Sequence, residues 1–257
     1  QRGFLRNHFF SLADAYVGIT PQFKELYRVS GLPENRLKQI PNGVDTNWFR
    51  PVTAEQKAKL RVELGLPEKM KLIIFVGHFS REKCPDILLN AWLKTVSKNY
   101  PHTGLIFIGS TNTNNYEVDA RLVEDIQELV DSHVNERVFF IERTHEIEKY
   151  YQAVDIFVLA SLREGMPNAL LEAMSSGLPV IVSRLEGITD WVVEDGVSGL
   201  LFTSDSEEEL GEAMIRLMQD SSLAFRLSKA ARQTIENRFS LQEVSLHYEK
   251  LYVDLSQ

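Results

Sequence analysis

"DIFVLASLREGMPNALLEAMSSGLPVIVS", residues 155–183, reads as strand, loop, helix, strand. The flanking runs "DIFVLA" (155–160) and "PVIVS" (179–183) are almost continuously apolar, which fits strands covered on both faces rather than half-exposed ones. On a helical wheel started at Pro167, a favoured first position, Leu170, Leu171 and Met174 form an apolar stripe. Ala169, Ala173 and Ser176 form a small-residue face, and Asn168, Glu172 and Ser175 share the remaining edge. Two buried strands joined by such a helix make a parallel β-α-β unit.

The same alternation extends upstream. "LIIFVG" (72–77), "GLIFIG" (104–109) and "RVFFIE" (137–142) are further β-rich runs, with helical patterns near 85–99, 118–131 and 145–153. The predicted fold is therefore α/β, a Rossmann-like doubly wound parallel sheet with helices on both faces. Downstream the chain reads as helix throughout. "SEEELGEAMIRLMQD" opens with the serine and glutamate spacing of a capping box. In the first 50 residues "ADAYVGIT" reads as a strand, "PQFKELYRVSG" as a helix and "RLKQIPNGVD" as a strand entering a turn. Those few elements cannot close a core of their own. The expected organisation is a remnant of a first α/β domain (1–50), a linker with a short helix (51–70), a complete domain (71–238) and a final helix (239–257) returning toward the first domain.

Composition bounds the function. A hydrophobic share of 44% and a charged share of 25% are ordinary for a globular chain, and the net charge of −8 argues against a nucleic-acid partner. The single cysteine, Cys84, cannot form an internal disulfide, and the scattered histidines carry no metal-ligand spacing. No apolar run reaches the roughly 18 residues of a membrane span. The expected location is cytoplasmic, although the missing signal peptide proves little. "QRGFLRNHFF" has no starting methionine, so the chain reads as a piece of a longer protein.

Glu164 and Glu172 decide the chemistry. Their spacing alone says little, because Glu55/Glu63, Glu128/Glu136 and Glu186/Glu194 repeat it. Position says more. Glu164 follows a strand at its carboxyl end, where open parallel sheets bind ligands. Gly165, Met166, Pro167 and Asn168 then open a helix whose first amides favour an anion. Carboxylates flanking an anion make sense if they accept from neutral hydroxyls on either side, the layout of a sugar nucleotide.

At this point the residues resemble a known family. "EGMPNALLEAMSSGLPVIVS" is similar to the E-x7-E segment of retaining family 4 glycosyltransferases of the GT-B fold. "IPNGVDTNWFRP" resembles the passage between that fold's two domains, "FVGHFSREKCPDILLNAW" its first donor-domain strand, loop and helix, and "GITDWVVEDGVSGLLF" the segment after the E-x7-E helix. The resemblance implies a metal-independent, retaining transferase using a nucleotide-diphosphate sugar, with no other cofactor, and a chain inactive without the rest of its first domain. It assigns Glu172 to the ribose hydroxyls, Glu164 to the transferred sugar and leaving-group side, and Lys83 to the diphosphate. The amides of Met166 to Ala169 face the sugar and distal phosphate. His78 stands where the family commonly has arginine, with Arg81 as a substitute cation, and Arg143 and Thr144 are candidates for the nucleobase. The acceptor, a glycan, lipid or small molecule, is left open, as is peripheral membrane contact through the first domain, which would place the protein at the cytoplasmic face of a membrane. Two alternatives stay open: a nucleotide-sugar-binding module without turnover, and a GT-B-type sugar-nucleotide epimerase.

Overall fold

The computed structural model describes residues 11–112, 114, 116–133 and 137–257; "QRGFLRNHFF" lies outside them, and with it the start of the expected first-domain remnant. Two short strands, β1 (Tyr16–Gly18) and β2 (Leu37–Gln39), pair in parallel and are joined by α1 (Pro21–Val29). After α2 (Ala54–Glu63), whose Thr53 and Gln56 form a reciprocal capping box, the chain enters the main sheet. There β3 (Lys71–Val76), α3 (Pro85–Ala91), β4 (Thr103–Ile108), α4 (Ala120–His133), β5 (Val138–Ile141), α5 (Ile147–Ala153), β6 (Ile156–Leu159), α6 (Asn168–Ser175) and β7 (Val180–Ser183) alternate. The chain closes with α7 (Thr189–Val192), β8 (Leu200–Phe202), α8 (Glu207–Gln219), α9 (Ser221–Arg238) and α10 (Leu241–Leu255).

The main sheet is parallel throughout, in the order β5-β4-β3-β6-β7-β8. Strand order reverses between β3 and β6, which opens a crevice at their carboxyl ends. Period-two alternation builds the two layers. Ile73 and Phe75 of β3 face Leu88 and Trp92, Leu122 and Ile126 of α4, and Leu210 and Met214 of α8. Leu72 and Ile74 face Tyr150 and Tyr151 of α5, Leu170, Leu171 and Met174 of α6, and Ala231 and Ile235 of α9.

Several details depart from the sequence reading. Strand β8 and helix α7 were not anticipated, each being too short to show a period. Helix α3 gives way to a π-helical turn at Trp92–Val96. Helix α6 begins at Asn168, with Pro167 as its N-cap, so proline sits one position outside the expected first turn. Its supposed polar edge is not wet throughout: Ser175 is fully buried and its hydroxyl donates to the Phe49 carbonyl at 2.6 Å. At the other end Gly177, at φ +75°, stops the helix, with the Gly177 and Leu178 amides donating to Met174 and Ala173 carbonyls. Ser206 caps α8, but the Glu209 carboxylate turns to the Thr203 amide and hydroxyl instead of closing the box.

The first segment is not isolated from this body. Helix α10 packs Val244, Leu251 and Tyr248 onto Ile40, Val17 and Ala15. The two chain passages run side by side: Val44 N–H donates to Phe239 O at 2.8 Å and Leu241 N–H donates to Val44 O at 3.0 Å. Arg232 of α9 pins the passage to α6, donating to the carbonyls of Thr46, Phe49 and Ser175. Beneath α2, the buried Arg61 donates to Asp155 Oδ2 at 2.7 Å and Lys57 to Asp155 Oδ1 at 2.7 Å. Burial would raise the Asp155 pKa, but these cations and the Leu72 amide hold it below its ordinary value.

Candidate functional site

The crevice floor is made of backbone. Gly77 ends β3 and Gly109 ends β4, and they approach so closely that a Cβ on Gly109 would lie 1.9 Å from the Gly77 carbonyl oxygen. From Gly77 the chain runs through His78 into a tight turn in which the Lys83 and Cys84 amides both donate to Ser80 O at 3.1 Å. Cys84 adopts a left-handed conformation, φ +51°, an uncommon state for a residue with a Cβ. That turn aims Lys83 at the loop after β6, where Leu162 N–H donates to Glu82 O at 2.8 Å.

Lys83 Nζ lies 2.7 Å from Glu164 Oε1, with the Glu164 side chain 7% exposed and that of Lys83 30%. Ser161, fully buried, donates to the same carboxylate oxygen at 2.7 Å, and its own carbonyl accepts from the Ser183 hydroxyl at 2.6 Å. A buried carboxylate requires such partners. Among the described residues Glu164 is the partner of Lys83 Nζ, which leaves two of its three ammonium protons for another acceptor.

Glu172 is placed differently. It lies just over one turn into α6, about 6 Å along the axis from Asn168, and lines a cavity of about 710 Å³ with Gly77, His78, Gly109, Arg143, Thr144 and Ile147. Its Oε2 accepts from the Tyr151 hydroxyl at 3.1 Å. Burial pushes the Glu172 carboxyl above its ordinary pKa, and the Tyr151 hydrogen bond opposes that shift. Glu142, on the same cavity, accepts from Thr111 and Ser110; those bonds, Thr111 foremost, hold its carboxyl below the usual value.

The structure brings most of the expected residues together. Lys83, Glu164 and Gly165 share a second cavity, of about 960 Å³, with Ile19, Phe23 and Glu117. His78 Nε2 lies 3.1 Å from Glu117 Oε2, so this contact separates the two cavities. Met166 is buried, and its sulfur accepts from the Asn42 amide at 3.2 Å. Pro167 is also buried, whereas Asn168 is exposed and accepts from the Asn42 side-chain amide at 2.9 Å. Ala169 is partly buried beside them. Arg81 is the exception. Its guanidinium donates to Asp119 at 3.0 Å, with Asp86 and Asp125 nearby, and it lines neither cavity.

Tyr151, Ser161, Glu117 and Asn42 were not singled out from the sequence. Asn42 lay within the quoted "PNGVD" turn, but nothing in one sequence pairs it with Asn168. Among the described residues no group of three or more His, Cys, Asp or Glu side chains converges as a metal site, and no helix is long and apolar enough to cross a membrane.

Comparison with known proteins points to one family. A family model described as glycosyl transferases group 1 matches residues 56–234. The UDP-Gal:alpha-D-GlcNAc-diphosphoundecaprenol alpha-1,3-galactosyltransferase of Escherichia coli is 29% identical over 235 residues, 90% of this chain and 57% of that protein. Sulfoquinovosyl transferase SQD2 of Arabidopsis thaliana is 32% identical over 83% of this chain and 39% of its own. A crystal structure of Anabaena HepE in complex with UDP-glucose superposes with a TM-score of 0.84 at 20% identity, covering 99% of this chain and 67% of that one. The chain spans about half the length of the curated relatives it matches.

Proposed function

The chain belongs to the glycosyl transferases group 1 family, and from that premise we propose that it is the donor-binding half of a retaining glycosyltransferase. Its fold is of the GT-B type. One observation carries the reading: two cavities meet at the His78–Glu117 contact, one walled by Glu172 and the other by Lys83 and Glu164. A nucleoside fits the first and a sugar the second, with a diphosphate between them. UDP is the first nucleotide to test, because the Escherichia coli relative is named for UDP-Gal and HepE holds UDP-glucose.

In the proposed reaction the bond from the sugar C1 to the diphosphate oxygen breaks while the acceptor oxygen forms its bond to C1 on the same face. The acceptor proton passes to the departing phosphate oxygen. Lys83 donates its remaining protons to the charge that builds on the phosphate, and the first amides of α6 add to that stabilisation without a metal. Glu164, held by Ser161 and Lys83, accepts from sugar hydroxyls. Glu172 accepts from ribose hydroxyls, and Arg143 and Thr144 wall the base. The acceptor, whether glycan, lipid or small molecule, enters from the side of Ile19 and Phe23, between the first segment and the donor half.

Calorimetry of this chain with UDP, GDP and ADP tests the donor site: one nucleotide saturates it, and failure of all three with folded protein sinks the reading. For the full protein, an NMR spectrum of the product that showed an inverted anomeric centre would remove the retaining step.

A further inference from the structure

We propose that Tyr151 is a positioning residue that sets the Glu172 carboxylate for the two ribose hydroxyls, an inference that rests on the nucleotide-sugar reading above. The ring of Tyr151 is completely buried. It is held between Phe49 of the interdomain passage, at 6.0 Å and 66°, and Phe157 of β6, at 6.1 Å and 62°. Packing of that kind needs an aromatic ring but not a hydroxyl, and a buried hydroxyl is costly unless it is bonded. The partner this one has is Glu172 Oε2, at 3.1 Å.

Among the described residues Tyr151 is also the one recorded hydrogen-bond donor to Glu172. An ionised carboxylate accepts about four hydrogen bonds, so most of its capacity is unspent in a half-buried position on the wall of the nucleoside cavity. The vicinal diol of a ribose supplies two adjacent donors. A carboxylate on a side chain with three rotatable bonds meets both only if one oxygen is already fixed, and the immobile tyrosine fixes it. Helix α5 thereby serves the nucleoside twice from one face. Ile147 lines the cavity, and Tyr151, four residues on, lies behind the glutamate.

The test is calorimetry of UDP against its 2′-deoxy and 3′-deoxy analogues, with the wild-type chain, Tyr151→Phe and Glu172→Gln. The wild type prefers UDP by about tenfold over at least one analogue, the scale of a lost hydrogen bond to a charged group. Tyr151→Phe lowers that preference to about twofold or less while binding the deoxy analogue as the wild type does, and Glu172→Gln reproduces the pattern. In Tyr151→Phe the acid-side loss of UDP affinity also begins at a higher pH, because the hydrogen bond that opposes protonation of Glu172 is gone. Equal weakening of UDP and both analogues in Tyr151→Phe would mean a packing defect and overturns the proposal, as does an undiminished ribose preference. Wild-type binding that ignores the ribose hydroxyls overturns this inference and leaves the donor reading standing. Absence of any nucleotide binding by the wild type removes both.

Discussion

Glu164 and Glu172 belong to one short segment, yet they occupy opposite electrostatic settings. Glu164 lies in a loop, nearly buried, with a lysine at 2.7 Å and a serine hydroxyl on the same oxygen. Glu172 lies on a helix with a tyrosine hydroxyl and no cation among its recorded hydrogen-bond partners in the described residues. The first is matched by charge and, in the proposed reaction, stands beside the place where charge develops. The second is matched by a neutral donor and carries a pKa raised by burial. Two glutamates eight positions apart are thus set for different tasks under the proposed function, one to manage charge and the other to read hydroxyls.

The largest break in this contrast is Lys83→Ala. It removes the cation for the leaving group and strands Glu164, so kcat of the full protein should fall by about 100- to 1000-fold, measured as sugar transfer at saturating donor. Glu164→Gln comes next. It keeps the Ser161 bond but weakens acceptance from sugar hydroxyls, lowering kcat by about 10- to 100-fold. UDP alone should bind this variant at least as well as the wild type, since Lys83 is no longer engaged by an internal carboxylate. Weaker UDP binding would erase the division between the two glutamates. Glu172→Ala should instead raise the Kd for UDP by about tenfold and leave the affinity for inorganic pyrophosphate unchanged. The smallest effect is one of pH. Protonated Glu172 accepts more weakly and at fewer sites, so UDP affinity is full above its raised pKa and declines as pH falls through it, earlier than for an ordinary carboxylate near 4.5. The sign for stability is opposite. The folded state holds that proton more tightly than the unfolded chain, so this group favours folding at low pH and loses that contribution as pH rises through the raised value. A urea titration series across mildly acidic pH would read it.

Much of the architecture was legible because parallel strands covered on both faces leave a plain mark: "LIIFVG", "GLIFIG" and "DIFVLA" admit few other readings. The candidate site was legible where a place along the chain brings a side chain to the crevice, as with Lys83 in the loop after β3 and Glu164 after β6. It was illegible where function follows from what lies opposite. Tyr151 in "EKYYQAVD" looks like any core aromatic, and only tertiary packing aims its hydroxyl at a residue 21 positions away. Ser161 looks like loop polarity until its bond to Glu164 is seen. Arg81, two positions before Lys83, suits a phosphate ligand by its place in the sequence, but Asp119 lies 38 residues on and engages it. Strand β8 pairs for three residues only, too few to show a pattern.

The loop after β3 has a kinetic consequence. Its three basic side chains each meet an acid of the protein itself: His78 meets Glu117, Arg81 meets Asp119 and Lys83 meets Glu164. A cleft neutralised in this way, in a chain of net charge −8, projects little field to draw an anionic donor from a distance. For the proposed anionic donor, encounter then gains no attraction and quickens as salt screens the net negative charge, and discrimination among anions falls to residence time after contact.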